Sequence, residues 1–566
     1  MNFFYTYQSL FDHILVYAML AMSQYVVLRA GVFSLGSAGF AAIGAYGCAL
    51  LVVKAGWPPL AAIAAGTALG GVASAVLAFP LSRLRGVFQA VATLAMVQIV
   101  LSATQNWTSV TNGAIGISGI PKVAGTGELL LIVVAVVVLL AAMGRHSIGR
   151  AMDVIREDET VAVSLGISVP YHQRIAFILS GLLAGLGGAL QASSSYAITP
   201  GEFGFGMLVA VLAMVVLGGR TSVWGALVGA AILTTLPELF RVFADYRNVV
   251  QGILLMLVIV YLPRGVADTA IALLHDRRLR RQAGHAARAP HAPPGAGGAQ
   301  GVHRQDIDRR RRAPMTATLV LEGVARHFGG VPAVDGLSLQ VPAGQITGLI
   351  GPNGAGKTTV VNLITGLLHL TAGRVLLEGR DVSRDEAPAL ARAGVARTFQ
   401  NIRLVPDASV RENVVAGFHR HEKSGLWANL LGLPSARAEA RELDARAMEL
   451  LERFGMAALA EHRAGSLSYG HQRRIEMMRA LATSPKLLLL DEPVAGMNDA
   501  EAESLAGIFR NVAASGVAVL LIEHNMRFVM SLCSHLYVLA SGRLIADGLP
   551  EAVGRDPKVV EAYLGA

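Results

Sequence analysis

Residues 346–367 read ITGLIGPNGAGKTTVVNLITGL, which is an apolar run, a glycine-rich turn and a second, amphipathic run. The turn fits the pattern G-x-x-x-x-G-K-T, in which backbone N–H groups curl around phosphate oxygens and the following helix directs its positive end toward them. The pattern requires a strand before Gly351 and a helix after Lys357, and the sequence offers both. The stretch therefore predicts an α/β domain with a phosphate-binding loop.

Two later apolar runs end in ionisable side chains. The segment PKLLLLDEPVAG ends its run at Asp491 and Glu492, and LLIEHNM ends its run at His524. Ligands bind at the carboxyl ends of the strands in such sheets, although a single acidic turn or a lone histidine is more often structural. We expect Lys357 to reach the β- and γ-phosphates, and Thr358 and Asp491 to hold Mg²⁺. Glu492 is placed to polarise the attacking water, with His524 beside the γ-phosphate.

The rest of the composition does not suit an ordinary soluble enzyme. Of 566 residues, 53% are hydrophobic and 15% are charged, and the mean hydropathy is +0.51. Long apolar blocks continue to about Pro263, and the sequence beyond Met315 has the mixture of a soluble domain. The two cysteines, Cys48 and Cys533, form neither a disulfide framework nor a zinc cluster. Length and composition therefore predict a membrane half and a soluble half.

The apolar blocks predict about nine membrane spans, since a helix needs roughly 20 apolar residues to cross the hydrocarbon. The amino terminus lacks a positive region and a cleavage site, so we expect a retained first span. Basic loops around Arg83 and Arg150 indicate the cytoplasmic side, and counting crossings places the soluble half there too. The expected spans lie near 11–29, 33–53, 58–81, 87–105, 128–143, 172–194, 205–219, 223–240 and 248–262.

Two charged segments need separate interpretations. The loop at 149–167 keeps apolar residues among its charges, which predicts a short amphipathic helix at the cytoplasmic face, with a solvated loop as the alternative. Residues 275–314 carry ten Arg and three Asp, most of the net charge of +9. Their Pro, Gly and Ala content cannot build a core, so we interpret them as a flexible linker at a gene-fusion seam rather than a nucleic-acid-binding arm. Some of its arginines can favour anionic lipid headgroups.

The soluble half resembles the nucleotide-binding subunit of an ATP-binding cassette (ABC) transporter over essentially all of 316–566. The resemblance rests on an ordered set of motifs, which are Phe328, the loop 351–359, ARTFQ with Gln400, LSYGHQRRIE (467–476), the strand end 487–492, AGMND (495–499) and His524.

The resemblance implies two such domains paired head to tail around ATP and Mg²⁺. It implies that Phe328 stacks on adenine and that Ser468 and Gly470 contact the γ-phosphate across the dimer. Gln400 would sense the metal or water, Glu492 would be the catalytic base and His524 the switch. The loop residues implied to hold ATP are Asn353, Gly354, Gly356, Lys357, Thr358 and Thr359, and the implied metal ligands are Thr358, Gln400 and Asp491.

The membrane half resembles a permease subunit of branched-chain amino-acid importers over nearly all of 1–265. GVFSLGSAGFAAIGAY, RLRGVFQAVATLAM, TNGAIGISGIP and YAITPGEFGFGMLVAVLAMVVLGGRTSVWGALVGA carry the likeness. Tyr469 is shared with the signature of that subfamily, and His471 departs from it. The resemblance implies that the 149–167 helix docks on an ATPase domain near Gln400.

Together these observations predict an all-α membrane domain of about nine spans (1–265), a basic linker (266–315) and an α/β P-loop ABC ATPase (316–566). The expected function is ATP-driven import of branched-chain amino acids across a bacterial inner membrane, with the ATPase and the linker in the cytoplasm. Expected partners are a second permease, a second ATPase, an external amino-acid-binding protein and membrane lipid, but no nucleic acid. The alternatives are urea or short amides as cargo, or an exporter or lipid-moving ATPase.

Overall fold

The computed structural model describes residues 2–122, 124–239, 252–253, 256–257, 260–262, 264–286 and 317–564. The chain divides into two compact units. The first comprises Met1–Glu157, Val169–Ala289 and Ser424–Arg437, and the second comprises Asp158–Ser168, Pro290–Lys423 and Ala438–Ala566. Each unit therefore contains a short segment that is remote in sequence from the rest of it.

The first unit is helical, apart from one small antiparallel pair, β1 (Ile117–Ser118) with β2 (Ala197–Ile198). Single-turn 3₁₀ helices occupy Gly113–Ile115 and Pro200–Phe203. The remaining elements up to residue 286 are α1 (Asn2–Arg29), α2 (Ser37–Val53), α3 (Pro59–Leu81), α4 (Val87–Asn106), α5 (Thr108–Thr111), α6 (Thr126–Arg145), α7 (Ser147–Glu157), α8 (Glu159–Ser164), α9 (Val169–Ser195), α10 (Phe205–Gly218), α11 (Val223–Leu239) and α12 (Val266–Ala286). All of these belong to the first unit except α8.

Six described helices are long and apolar enough to span a membrane, namely α1, α3, α4, α6, α9 and the Pro200–Gly218 helix that contains α10. The apolar helices α2 and α11 are shorter, although the sequence predicts a span at each. The ninth predicted span, 248–262, lies mostly outside the described residues.

Close packing of α2, α3 and α9 forms the centre of the first unit. A Cβ added at Gly44 would lie 2.3 Å from the Gly185 carbonyl oxygen, and one at Gly188 would lie 2.0 Å from that of Ala41. A Cβ at Gly70 would lie 2.8 Å from the Gly181 carbonyl oxygen. The small residues of these apolar runs therefore let helix backbones touch, which is how helices associate where lipid removes the hydrophobic drive.

Part of the predicted linker 266–315 is a helix. α12 begins at Val266, with Ala267 and Ala272 buried, and the Asp268 carboxylate accepts the Thr221 N–H at 2.8 Å. Alanine, leucine and arginine favour helix strongly, and the averaged composition of 275–314 concealed this local change. The linker residues 287–315, including the four consecutive arginines, lie outside the described part of the chain.

The second unit is built on two sheets. A six-stranded sheet has the order β12-β11-β5-β10-β9-β8, parallel except for β12, and a four-stranded antiparallel sheet has the order β4-β3-β6-β7. The strands are β3 (Ala317–Phe328), β4 (Val331–Pro342), β5 (Ile346–Ile350), β6 (Ala372–Leu377), β7 (Arg380–Asp381), β8 (Val395–Arg397), β9 (Leu487–Asp491), β10 (Ala518–Ile522), β11 (His535–Ala540) and β12 (Arg543–Gly548).

Helices cover this sheet, whose central strands β5, β9 and β10 are buried along their whole length. Such continuous apolar runs are typical of parallel strands that are covered on both faces. The helices that follow β5 are α13 (Lys357–Ile364), α14 (Ala387–Ala393), α15 (Val410–Ala416), α16 (Leu426–Leu431), α17 (Pro434–Arg453), α18 (Tyr469–Ala482), α19 (Asp499–Ala514), α20 (Met526–Leu532), α21 (Pro550–Val553) and α22 (Pro557–Leu564), with 3₁₀ turns at Gly417–His421, Ala457–Leu459 and Ala464–Ser466. Of these, α16 and the first turn of α17 belong to the first unit.

Candidate functional site: a nucleotide site at the strand ends

The phosphate-binding loop has the backbone that its glycines predict. Gly351, Gly354 and Gly356 have φ values of 152°, 79° and 101°. A Cβ at Gly356 would lie 2.4 Å from the Ala333 carbonyl oxygen, whereas one at Gly354 would meet nothing within 4 Å. Gly356 is therefore needed for both conformation and space, and Gly354 for conformation alone.

Lys357 is the first residue of α13 and bends back over the loop. Its ammonium donates to the carbonyl oxygens of Gly351 at 2.6 Å and Pro352 at 3.0 Å. Burial lowers the pKa of Lys357, and the carboxylates of Glu492 and Asp491 oppose that shift. The ammonium is thus held at the start of a helix, where an anionic group is favoured.

Glu492 lies just after the buried strand β9 and is joined to two of the predicted site residues. Gln400 Nε2 donates to Glu492 Oε2 at 3.1 Å, and His524 Nδ1 lies 3.7 Å from Glu492 Oε1. The Glu492 N–H donates to the carbonyl oxygen of Ile522 at 2.9 Å, and Glu492 has a φ of 47°. The structure thus brings Gln400, Glu492 and His524 together, as the sequence predicts.

Asp491 is the last residue of β9 and is almost fully buried. Burial raises the pKa of its carboxyl group, and Arg397, whose Nη2 lies 3.9 Å from Asp491 Oδ2, acts in the opposite direction. The Asp491 N–H donates to Thr398 Oγ1 at 3.2 Å. The strand and these neighbours fix the carboxylate in place.

The residues expected to hold Mg²⁺ have suitable chemistry. Thr358 supplies a hydroxyl, Asp491 a carboxylate and Gln400 an amide oxygen, while the Nε2 of Gln400 donates to Glu492. Oxygen donors of this kind suit Mg²⁺, which usually completes its coordination with phosphate oxygens and water. Within the described residues, no group of three or more His, Cys, Asp or Glu side chains could hold a metal by itself.

The remaining predicted nucleotide contacts lie on other elements. Phe328, at the end of β3, is 46% exposed, and the Arg326 guanidinium lies 4.8 Å from its ring centroid. Ser468 is the residue before α18, and its Oγ lies 2.9 Å from His471 Nδ1. Among the described residues, no hydrogen bond joins Ser468 or Gly470 to the phosphate-binding loop of the same chain.

A buried ion pair behind the site was not assigned a role from sequence. Arg473 and Glu476 on α18 are 0% and 1% exposed, and their side chains are 2.7 Å apart. Arg473 donates to the main-chain oxygens of Phe399, Gln400 and Glu492, and Glu476 accepts the Phe399 N–H at 3.0 Å. The available signal was an i, i+3 pair of charges in the motif LSYGHQRRIE (467–476). The pair fixes the backbone that presents Gln400 and Glu492.

The short segment 158–168 packs within the second unit near the Gln400 loop. Asp158 caps α8, with its Oδ1 accepting the N–H groups of Thr160 and Val161 at 2.7 and 3.1 Å. Its other oxygen accepts from Arg403 Nη1. Arg392 Nη1 donates to the carbonyl oxygen of Gly166 at 3.2 Å. The predicted amphipathic segment 149–167 is therefore two helices, α7 and α8, that belong to different units.

Three polar residues of the membrane half, Gln98, Asn106 and Gln191, have groups that can either line a cargo pathway or join helices by hydrogen bonds. Gln98 is exposed, and Asn106 Nδ2 bonds to the Ser102 carbonyl oxygen of its own helix at 2.9 Å. Gln191 Nε2 instead donates to Glu202 Oε2 at 3.3 Å. Glu202, which was not singled out from sequence, also accepts the N–H and hydroxyl of Thr199.

Family models match both halves of the chain. A model described as "Branched-chain amino acid transport system / permease component" matches residues 8–259. A model described as "ABC transporter" matches 334–495, and one described as "Branched-chain amino acid ATP-binding cassette transporter" matches 543–566. The first unit is thus a permease, so the chain is a multi-pass membrane protein, and the second unit is an ATP-binding ABC ATPase.

Curated relatives match the ATPase half. The high-affinity branched-chain amino acid transport ATP-binding protein BraF of Pseudomonas aeruginosa is 41% identical over 248 residues, 44% of this chain and 97% of the relative. LivG of Escherichia coli, described in the same words, is 41% identical over 249 residues, which are 44% of this chain and 97% of the relative. A probable LivG of Methanocaldococcus jannaschii is 37% identical over 248 residues, which are 43% of this chain and 96% of the relative. This chain belongs to the branched-chain amino acid ABC transporter family and combines its permease and its ATP-binding cassette in one polypeptide.

Proposed function

We propose that this protein imports leucine, isoleucine and valine, delivered by an external binding protein, across a bacterial inner membrane. The observation that carries the proposal is the fusion of a branched-chain amino acid permease with an ATPase whose Gln400, Glu492 and His524 converge. The family implies partner subunits and a substrate-binding protein. Because one chain supplies one permease and one ATPase, the working transporter contains a second of each, from an identical or a related subunit.

In this proposal ATP is held between the loop of one ATPase and the signature of its partner. Lys357 neutralises the β- and γ-phosphates, and Asn353, Gly354, Gly356, Thr358 and Thr359 complete the cradle. Mg²⁺ supplies charge neutralisation when it is bound by Thr358, Asp491 and Gln400. Phosphoryl transfer then depends mainly on positioning and on charge stabilisation.

Glu492 takes a proton from the attacking water, and His524 orients the γ-phosphate. The 3.1 Å bond from Gln400 to Glu492 holds the carboxylate before ATP arrives. The Arg473–Glu476 pair supports this arrangement, since Arg473 donates to the Glu492 carbonyl oxygen at 2.8 Å. A buried pair with so many backbone partners preserves geometry, whatever its net effect on stability.

Movement of the Gln400 loop reaches segment 158–168 through Arg403, three residues further along the chain. The Arg403–Asp158 ion pair is partly exposed, with side-chain exposures of 41% and 24%. Such a pair contributes little to stability and can be broken and re-formed as ATP binds. We therefore assign it to coupling rather than to folding.

The cargo is tested by ATP hydrolysis of the complete transporter in liposomes, with the candidate binding protein and leucine present together or separately. We expect stimulation that requires both. Equal rates under all conditions contradict import, and stimulation by urea or a short amide instead of leucine reassigns the cargo.

The coupling role is tested with Arg403→Ala. Basal ATP hydrolysis should stay within about twofold of the wild-type rate, since a partly exposed pair contributes about 1 kcal/mol or less. Stimulation by the loaded binding protein should be lost. Arg510→Ala removes an exposed ion pair with Glu503 elsewhere in the same unit and is the matched control. Full stimulation of Arg403→Ala removes this pair from the coupling route.

A further inference from the structure

Helix α16 lies within the ATPase sequence but packs in the first unit, which we call the membrane unit; the second is the ATPase unit. It belongs to the segment Ser424–Arg437, which is part of the first compact unit. Leu430 is buried in that unit's hydrophobic cluster, and Leu426 packs against the same cluster. These residues are four apart and therefore form one face of the helix.

The neighbouring face of α16 is also apolar but is exposed. Trp427 is 68% exposed and Leu431 is 52% exposed, and these residues are again four apart. Leu433, just beyond the helix, is 42% exposed. Helix α16 is therefore apolar on two adjacent faces, of which one is packed and one is uncovered. Exposure of the uncovered apolar face to water is unfavourable.

The position of α16 along α6 gives the depth of this surface. Gly432, which ends α16 with a φ of 59°, lies so close that an added Cβ would be 3.3 Å from the Ala142 Cβ and 3.4 Å from His146 Cε1. Ala142 lies in the last turn of α6, which ends at Arg145. Helix α16 therefore lies at the C-terminal end of a membrane span, which the basic loop around Arg150 assigns to the cytoplasmic side.

The exposed stripe of α6 leads directly to this contact. Leu131, Val134 and Val138 are 72%, 52% and 62% exposed, and Ala142 is the next position on the same face. Exposed aliphatic residues on a membrane-spanning helix face lipid or another apolar surface in the membrane, so this stripe marks the level of the hydrocarbon. The apolar surface of α16 continues that face at the level where the hydrocarbon meets the headgroups.

We propose that Trp427, Leu431 and Leu433 insert into the cytoplasmic headgroup region and anchor this part of the ATPase sequence to the lipid surface. Tryptophan is favoured at that level because its ring is amphipathic. Arg437 and Arg145 are exposed in the same unit and carry the charge that anionic headgroups attract. The occupant of this face is lipid, and the inference depends on the membrane family of the first unit rather than on the cargo.

The test uses the full chain with Trp427 as its single tryptophan, made by Trp57→Phe, Trp107→Phe and Trp224→Phe. The protein is reconstituted in vesicles of phosphatidylcholine and phosphatidylglycerol whose acyl chains carry bromine near the headgroup or near the chain end. Shallow bromine should reduce Trp427 emission to about half, and deep bromine should reduce it less, as expected for an interfacial residue.

A matched control moves the tryptophan to an exposed site of the ATPase unit. Val331 is 67% exposed on β4, and Val331→Trp in the tryptophan-free chain should show no bromine quenching. Emission of Trp427 that is insensitive to both lipids overturns the proposal. In that case, quenching by aqueous acrylamide indicates a water-facing residue, and protection from acrylamide indicates coverage by a partner protein.

A second variant measures what the anchor does without relying on fluorescence. Trp427→Ser with Leu431→Ser keeps the buried Leu426 and Leu430 face, so the fold should persist. The double variant should lower the stimulation of ATP hydrolysis about threefold when anionic lipid is present, and should equal wild type in detergent. The same loss in detergent and in lipid would contradict a lipid anchor.

Discussion

Glycine serves opposite purposes in the two units. In the membrane unit, Gly44 and Gly188 lie in ordinary helices, where the missing side chain lets two backbones approach within van der Waals contact. In the ATPase unit, Gly351 and Gly356 have positive φ values and shape a loop around phosphate. The membrane unit thus depends on spacing between helices, and the ATPase unit depends on unusual dihedral angles and a few placed side chains.

The largest expected effect tests whether ATP hydrolysis depends on single side chains that the ATPase unit holds in position. Glu492→Gln keeps the shape of the side chain but removes its ability to accept a proton. We expect turnover to fall about 10²–10⁴-fold, the range for loss of a general base, while ATP still binds. Steady-state hydrolysis and nucleotide binding measure the two properties. Glu503→Gln, at an exposed site of the same unit, should hydrolyse ATP at the wild-type rate. Normal hydrolysis by Glu492→Gln would show that Glu492 is not the catalytic base.

The next effect concerns spacing in the membrane unit. Gly188→Leu places a side chain where the Cβ alone would be 2.0 Å from the Ala41 carbonyl oxygen. We expect destabilisation of about 3 kcal/mol or more, since backbone cannot yield as a side chain can. The fraction of protein that stays monodisperse after heating in detergent measures this destabilisation. Gly127→Leu, where a Cβ meets nothing within 4 Å, is the control, and equal survival of the two variants contradicts the packing argument.

A smaller effect separates dihedral angle from spacing in the ATPase unit. Gly356→Ala combines a φ of 101° with a 2.4 Å contact to the Ala333 carbonyl oxygen, so ATP affinity should fall about tenfold or more. Gly354→Ala has the positive φ without the contact, so its ATP affinity should fall by a smaller factor. Gly507→Ala, in α19 with open space around it, should bind ATP normally. Binding of a fluorescent ATP analogue ranks the three, and an equal loss at Gly354 and Gly356 would leave the dihedral angle as the whole cause.

The smallest effect concerns a side chain that departs from the subfamily's signature. The 2.9 Å contact of His471 with Ser468 occupies a hydroxyl that is expected to face the γ-phosphate of a partner's ATP. His471→Ala should lower the KM for ATP about threefold, the scale of one hydrogen bond, with kcat little changed. His369→Ala, on an exposed loop of the same unit, is the control. A raised KM would show that His471 positions Ser468 for ATP instead of competing for it.

Local pattern was sufficient to predict which residues lie at the strand ends, and their roles stay predictions. Lys357, Asp491, Glu492 and His524 each follow an apolar run, and parallel strands bring such ends to one edge of the sheet. Arg473 and Glu476 were harder to interpret, because a charged pair in a helix is usually solvated and only packing buries it. The helix within the predicted linker was missed because the average composition of 275–314 hid the helix-forming residues at its start, up to Ala286.

The sequence by itself determined the two architectures, because long apolar runs predict membrane helices and the glycine-lysine loop predicts a phosphate-binding α/β domain. The family resemblance predicted that 149–167 docks near Gln400, but only the tertiary structure decided that 158–168 joins the second unit and 424–437 the first. Asp158 and Arg403 are 245 residues apart in sequence, and Gly432 and Ala142 are far apart along the chain as well. No periodicity within a window encodes such pairs, since they arise only when packed helices and strands have fixed where each segment can bury its apolar face.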